Sequence, residues 1–238
     1  VALTREESIC MHPKRHPLTM EIEMGCDSNG RFTFVKSDII GDTGAYASVG
    51  MKVLERAAGH ATGAYHVDAV EVRSRAVYTN NIPCGAMRGF GVNQINFAVE
   101  SCVDELCEMG GFDRWQIRYD NALTPGGMTS TGQVLQSGIG IRKTLEAVKD
   151  VFQQSRHAGI ACGIKNTGIG NGVPDTGKVK IVIESPERIL IHQGWTEMGQ
   201  GVYTMAVQFF CEVTGLSPEI VEVRVDTAEE LSLIHISE

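Results

Sequence analysis

The sequence predicts an α+β protein with mixed sheets and packed helices, divided into two lobes. Segments of strict apolar–polar alternation and segments of 3.6-residue periodicity follow one another without the regular order of a doubly wound fold. Asp27-Ser28-Asn29-Gly30 supplies turn chemistry between the first two alternating segments, which reads as an antiparallel hairpin. Asn121–Gly140 is rich in Gly, Thr, Ser and Pro and has no periodicity, so lobes are expected at 1–125 and 126–228, with an aberrant or foreign tail at 229–238.

Taken in order, Val1–Thr4 is expected to finish a strand, and Arg5–Arg15 to be a polar loop whose HPKRHP cluster is a solvated basic face. Leu18–Cys26 and Arg31–Ile40 alternate as half-buried strands, and the small residues of GDTGAYAS (41–48) let the chain pass close to another element. Val49–Ala58 is helical and carries Glu55-Arg56; as a helix-surface pair these charges need no function. Val67–Tyr78 is a strand. Val92–Met109 is an amphipathic helix stopped by Gly110-Gly111, and Asp113 caps a short helix behind it. Ile141–Gln154 returns to helical spacing. Gly159–Ile164, Val179–Ile183, Arg188–His192 and Val221–Val225 read as strands, and Val202–Thr214 as a helix.

The 238 residues, 42% hydrophobic, suffice for a real core, and a net charge of −8 argues against nucleic-acid or anionic-membrane partners. VALTREESI has neither the apolar run nor the cleavage pattern of a signal peptide, so a cytoplasmic location is expected. Seven scattered cysteines without a C-x-x-C pair fit reduced thiols better than disulfides or a metal site. His12 and His16 have helical ligand spacing, but Pro13 and Pro17 oppose a helix there, so no protein-ligated metal is expected. The opening Val is expected to mark an incomplete polypeptide.

Chemistry is concentrated in NNIPCGAMRGFGVNQ (80–94). Its glycines allow close backbone approaches, Arg88 offers a planar fork of donors, and Phe90 offers an apolar ring; an ordinary strand-to-helix connection is the equally weighted alternative. No G-x-G-x-x-G or P-loop string is completed. Gly199-Gln200-Gly201 precedes a helix, where unpaired N–H groups favour an anion and Gln200 adds an amide, or where Gln200 caps its own backbone.

PCGAMRGFGVNQ (83–94) and GWTEMGQGVYT (194–204), with REES…HPKRHP, GDTGAYAS and LERA (54–57) in the same order, resemble the large molybdenum-binding subunit of the xanthine dehydrogenase and aldehyde oxidase family. The likeness runs to about Asp226. It implies two lobes of a molybdopterin-binding domain and an enzyme that hydroxylates a substrate carbon with oxygen from water. The implied cofactor is molybdenum held by a pterin dithiolene, as molybdopterin or its cytosine dinucleotide. Iron–sulfur clusters and FAD are implied on other domains or subunits, and a homo-oligomer when complete. By motif, Met87, Arg88, Gly199, Gln200 and Gly201 would bind the cofactor, Phe90 would pack on a planar substrate, and Arg56 would donate to a purine carbonyl. A fixed guanidinium there stabilises negative charge growing on a heterocycle, which points to hypoxanthine or xanthine.

Three departures qualify the implication. The family's upstream glycine-rich segment is absent, as is the C-terminal segment with the glutamate that serves as general base, so this chain alone is expected to be inactive. Asn171 stands near the place of a second aromatic. EELSLIHISE (229–238) departs from the family's continuation. An aldehyde, nicotinate or related heterocycle is the alternative substrate, and a non-catalytic cofactor-binding or assembly module the alternative class.

Overall fold

The computed structural model describes residues 2–166 and 177–225, in two units, Val1–Lys165 and Asn166–Glu238. The Asn171 position and the 229–238 tail lie outside the described residues.

Unit one opens on a helix, α1 (Arg5–Met11), where a loop was expected. Thr4 Oγ1 accepts the Glu7 N–H at 3.2 Å, and a Glu7 carboxylate oxygen accepts the Thr4 N–H at 2.8 Å. This reciprocal cap satisfies two amides that a short helix leaves open. Because α1 buries no residue, the cap and not a hydrophobic face supports it.

The hairpin forms as expected from β1 (Leu18–Cys26) and β2 (Phe32–Asp42). The chain then crosses through α2 (Gly50–Gly59) to β3 (Ala69–Val77), which lies parallel to β2 in a sheet of order β1-β2-β3. α3 (Val92–Gly110) buries Val92, Ile95, Val99, Val103 and Cys107, the stripe that 3.6-residue spacing dictates. Each such aliphatic side chain contributes about 1.5–3 kcal/mol on burial. Phe32 meets the Tyr65 ring edge-on at 5.3 Å within the same core.

α4 (Arg114–Asn121) starts at Asp113, whose carboxylate accepts the Gln116 N–H at 2.7 Å. α5 (Ile141–Gln154) sends Leu145 into the core of unit one, and the Leu145 carbonyl accepts the Trp115 indole N–H at 2.8 Å. The helix expected to open the second lobe therefore packs on the first. Residues 159–164 form no strand; their alternation buries Cys162 and half-buries Ile160 and Ile164 against the core. A period of two reports one covered face, whether or not a strand pairs at the edge.

An ionic network lies inside this unit. Arg118 is fully buried and donates from Nε to Glu100 at 2.8 Å, from one terminal nitrogen to Asp104 at 2.9 Å and from the other to the Arg114 carbonyl at 3.0 Å. The Tyr65 hydroxyl donates to the second Glu100 oxygen. Burial is the largest single influence and works against the guanidinium charge, but Glu100, Tyr65 and Asp104 together outweigh it and raise its pKa. Burial, followed by the Glu100 charge, raises the Tyr65 phenol far above its ordinary range.

Unit two repeats the connectivity of the first sheet. β4 (Val179–Ser185) and β5 (Arg188–Gln193) form a hairpin, α6 (Val202–Thr214) crosses over, and β6 (Val221–Val225) lies parallel to β5. In each unit a glycine-containing loop therefore joins the central strand to its crossover helix. No helix among the described residues is long and apolar enough to cross a membrane.

Candidate functional site

In unit one the segment expected to be a solvated basic face is instead the partner of the Arg88 loop. Lys14 N–H donates to the Pro83 carbonyl at 3.0 Å, Gly85 N–H to the Lys14 carbonyl at 2.9 Å, and the Arg15 guanidinium to the Arg88 carbonyl at 2.9 Å. The Gln94 amide donates to the His16 carbonyl at 3.0 Å. Two backbones paired this way hold each other's donors and acceptors, which a loop in water alone would not fix. Lys14 also donates to the Ser8 and His12 carbonyls at 2.6 and 2.7 Å, closing the end of α1.

At the tip, Met87 and Arg88 are exposed while Phe90 is buried. Gly89, Phe90 and Gly91 all have left-handed φ, +92°, +50° and +94°, a local reversal costing about 1–3 kcal/mol at the non-glycine residue. A Cβ on Gly91 would collide with the Val53 carbonyl of α2, so the loop rides directly on that helix. The Phe90 ring belongs to the core cluster, where it anchors the loop from below rather than offering a free face.

Arg56 stands half-buried in the last turn of α2. His60 Nδ1 lies 2.8 Å from the Arg56 carbonyl. Burial first, then the nearby Lys165 and Arg56 charges, lower the pKa of His60. At the end of β2, Asp42 accepts from the Gly44 N–H at 2.7 Å, the Thr79 hydroxyl at 2.6 Å and the Asn81 amide, and the Thr79 bond leads in lowering its pKa.

His16 is 2% exposed, and burial lowers its pKa against the opposing Asp42 charge and Gly85 backbone. His16 and His60 thus both hold folded values below the ordinary 6.5. Below pH 6.5 the unfolded chain binds protons that the folded chain refuses, so stability is fullest above that pH and falls as pH drops from it. Denaturant midpoints are expected to fall between about pH 7.5 and 5.5, less steeply in His16→Asn, which removes one of the two groups.

In unit two the turn before α6 has Gly199 and Gly201 at φ +89° and +77°. Glu197 accepts the N–H groups of Gly199 and Gly201 at 2.7 and 3.0 Å, and these helix-start amides, Gly201 foremost, lower its pKa. The chain's own carboxylate thus fills the anion position that sequence reasoning left open; an acid just ahead of a Gly-x-Gly helix start was the signal. Gln200 donates to the Thr196 carbonyl at 2.8 Å and accepts from the Met198 N–H at 2.5 Å, the self-capping alternative.

The residues present nevertheless fit a polar cofactor in two respects. Gln193 Nε2 and His192 Nδ1, buried where β5 feeds the turn, have no hydrogen-bond partner among the described residues. A Cβ on Gly201 would meet nothing within 4 Å among the described residues, so its backbone borders open space there. No group of three or more His, Cys, Asp or Glu that could hold a metal ion occurs among the described residues.

A molybdopterin cofactor-binding domain model matches residues 1–122, and a second model of the same description matches residues 135–232. The chain belongs to the molybdopterin cofactor-binding domain family. A nicotinate dehydrogenase large molybdopterin subunit from Eubacterium barkeri is 43% identical over 62% of the chain and 35% of that protein. A probable xanthine dehydrogenase subunit from Bacillus subtilis is 31% identical over 95% of the chain and 32% of that protein. The aldehyde oxidoreductase from Desulfovibrio gigas superposes with a TM-score of 0.77 at 26% identity, over 89% of this chain and 25% of that one. The molybdopterin-binding chain thus spans about a third of the length of the curated relatives it matches. The mixed α+β architecture, the family resemblance and the molybdopterin cofactor read from the sequence all stand.

Proposed function

We propose that this molybdopterin-binding chain is part of the catalytic subunit of a molybdenum hydroxylase acting on a nitrogen heterocycle, first of all a purine such as hypoxanthine or xanthine. Arg56 carries the reading: it sits half-buried on α2, and the Arg88 loop rests on the same helix through Gly91. Bound molybdenum–pterin would supply oxidation of a substrate C–H with oxygen from water. Arg88, the Met87 backbone and Gly199-Gln200-Gly201 are proposed to hold that cofactor, and Gln200 would exchange its self-capping bonds to do so. Arg56 would orient the heterocycle and stabilise charge growing on it, while Phe90, anchored in the core, would hold in place the loop that carries Arg88.

A nicotinate-type substrate is the second reading, favoured by the 43% identity to the nicotinate dehydrogenase subunit. Residues 1–125 and 126–228 are proposed as the two lobes in sequence, supported by the limits of the two domain models, with α5 and residues 159–164 of the second stretch packed on the core of unit one. Iron–sulfur and FAD components, a homo-oligomeric complete enzyme and a cytoplasmic location complete the proposal. The test is to purify the complete subunit with its partner components, measure molybdenum and released pterin, and compare kcat/KM on hypoxanthine, nicotinate and an aromatic aldehyde. Hypoxanthine is expected to lead. An aldehyde preference would overturn the heterocycle reading, and loaded protein inert on all three would favour an assembly module.

A further inference from the structure

Beneath the Arg88 loop lies a side chain that neither the fold nor the proposed chemistry has used. His16 is 2% exposed, between the pairing that ties residues 14 and 15 to the loop and the start of β1. Its ring stands beside the Gly85 backbone of the Arg88 loop, which acts directly on its protonation, while Nε2 adjoins α2: a Cβ on Gly50 would lie 3.3 Å from it. Gly50 is the first residue of α2, the helix of Arg56, and Val49 ahead of it makes no side-chain cap. Nε2 has no hydrogen-bond partner among the described residues, nor has Gln94 Oε1, whose own amide nitrogen holds the His16 carbonyl. A positive helix end beside an imidazole nitrogen favours its lone pair over a proton.

We propose that His16 is a positioning residue of the molybdenum site, its imidazole wedged between Gly85 of the Arg88 loop and Gly50 of the Arg56 helix to set the spacing of the two guanidinium-bearing elements. The proposal rests on the cofactor and substrate roles argued above for Arg88 and Arg56. A ring at this joint is stiff and nearly volume-filling, so the loop and the helix cannot shift independently of it. Removing the ring leaves a void at the joint and frees a geometry in which misplacements on the order of 1 Å are costly for catalysis.

The complete subunit with its partner components is purified as wild type, His16→Ala, His16→Asn, His16→Gln and, as a control in the same segment, His12→Ala. Molybdenum and released pterin are quantified first, and KM and kcat per molybdenum are then measured on whichever of hypoxanthine and nicotinate the wild type prefers. KM is insensitive to the fraction of enzyme loaded, so a merely structural role would lower cofactor content without moving it. His16→Ala is expected to raise KM roughly tenfold or more. Asn and Gln place a donor at one or the other ring-nitrogen position, and one of them is expected to return KM to within about twofold of wild type. An unchanged KM in His16→Ala, or no rescue by either amide, overturns the proposal. If His16→Ala gives no folded protein, a difference between Asn and Gln supports the joint and equal values overturn it. Wild-type protein without molybdenum and pterin sinks the cofactor reading, and this inference with it, before any variant is compared.

Discussion

Replacing Arg118 by alanine is expected to lower the free energy of unfolding by about 3–5 kcal/mol, the cost of leaving a buried charge without its partner. Arg118 is fully buried and Glu100 nearly so, and the guanidinium is the cationic partner of the Glu100 carboxylate at 2.8 Å. With Arg118 gone, Glu100 keeps the Tyr65 hydroxyl and must either stay charged in the core or take up a proton. Since domains of this size are held by about 5–15 kcal/mol, the variant should unfold at a much lower urea concentration. The double variant Arg118→Met, Glu100→Leu removes both charges and should recover part of the loss, the remainder being the cost of a buried Tyr65 hydroxyl deprived of its Glu100 acceptor. A single variant within about 1 kcal/mol of wild type would show that the network is solvated in solution.

The second large effect concerns chemistry. Arg56→Met in the complete, loaded enzyme is expected to lower kcat/KM on hypoxanthine by about 10²–10³, the usual consequence of losing one donor aimed at developing negative charge. Molybdenum and pterin content should stay at the wild-type level, because the cofactor residues proposed above lie in the Arg88 and Gln200 loops. An aromatic aldehyde, which has no ring carbonyl for Arg56 to hold, should lose less than about tenfold. Equal losses on both substrates would remove Arg56 from the substrate side and make it a support of α2. Methionine preserves the apolar stem and the helix propensity, so the comparison isolates the charge and its donors.

Much of the fold is legible along the chain because its determinants are local. The α3 stripe from Val92 to Cys107, the Asp27–Gly30 turn, the Asp113 cap and the β4–β5 hairpin each follow from spacing or from a residue's own conformational preference. α1 was legible too, in Thr4-x-x-Glu7, but its lack of an apolar face hid it from periodicity. Residues 159–164 show the converse: alternation without a neighbouring strand edge gives burial and no strand.

The sequence by itself determined the family, the cofactor and the loops that carry Arg88 and Gln200, since short strings with special backbone needs keep their meaning wherever they fold. Only the tertiary structure decided that HPKRHP braces the Arg88 loop, that Phe90 points into the core, that α5 joins unit one, and that Glu197 occupies the helix start before α6. Each of those is a pairing between side chains or backbones brought together by folding, and composition and periodicity describe one segment at a time. A buried imidazole and a solvated one read alike in a sequence; the surrounding atoms make the difference.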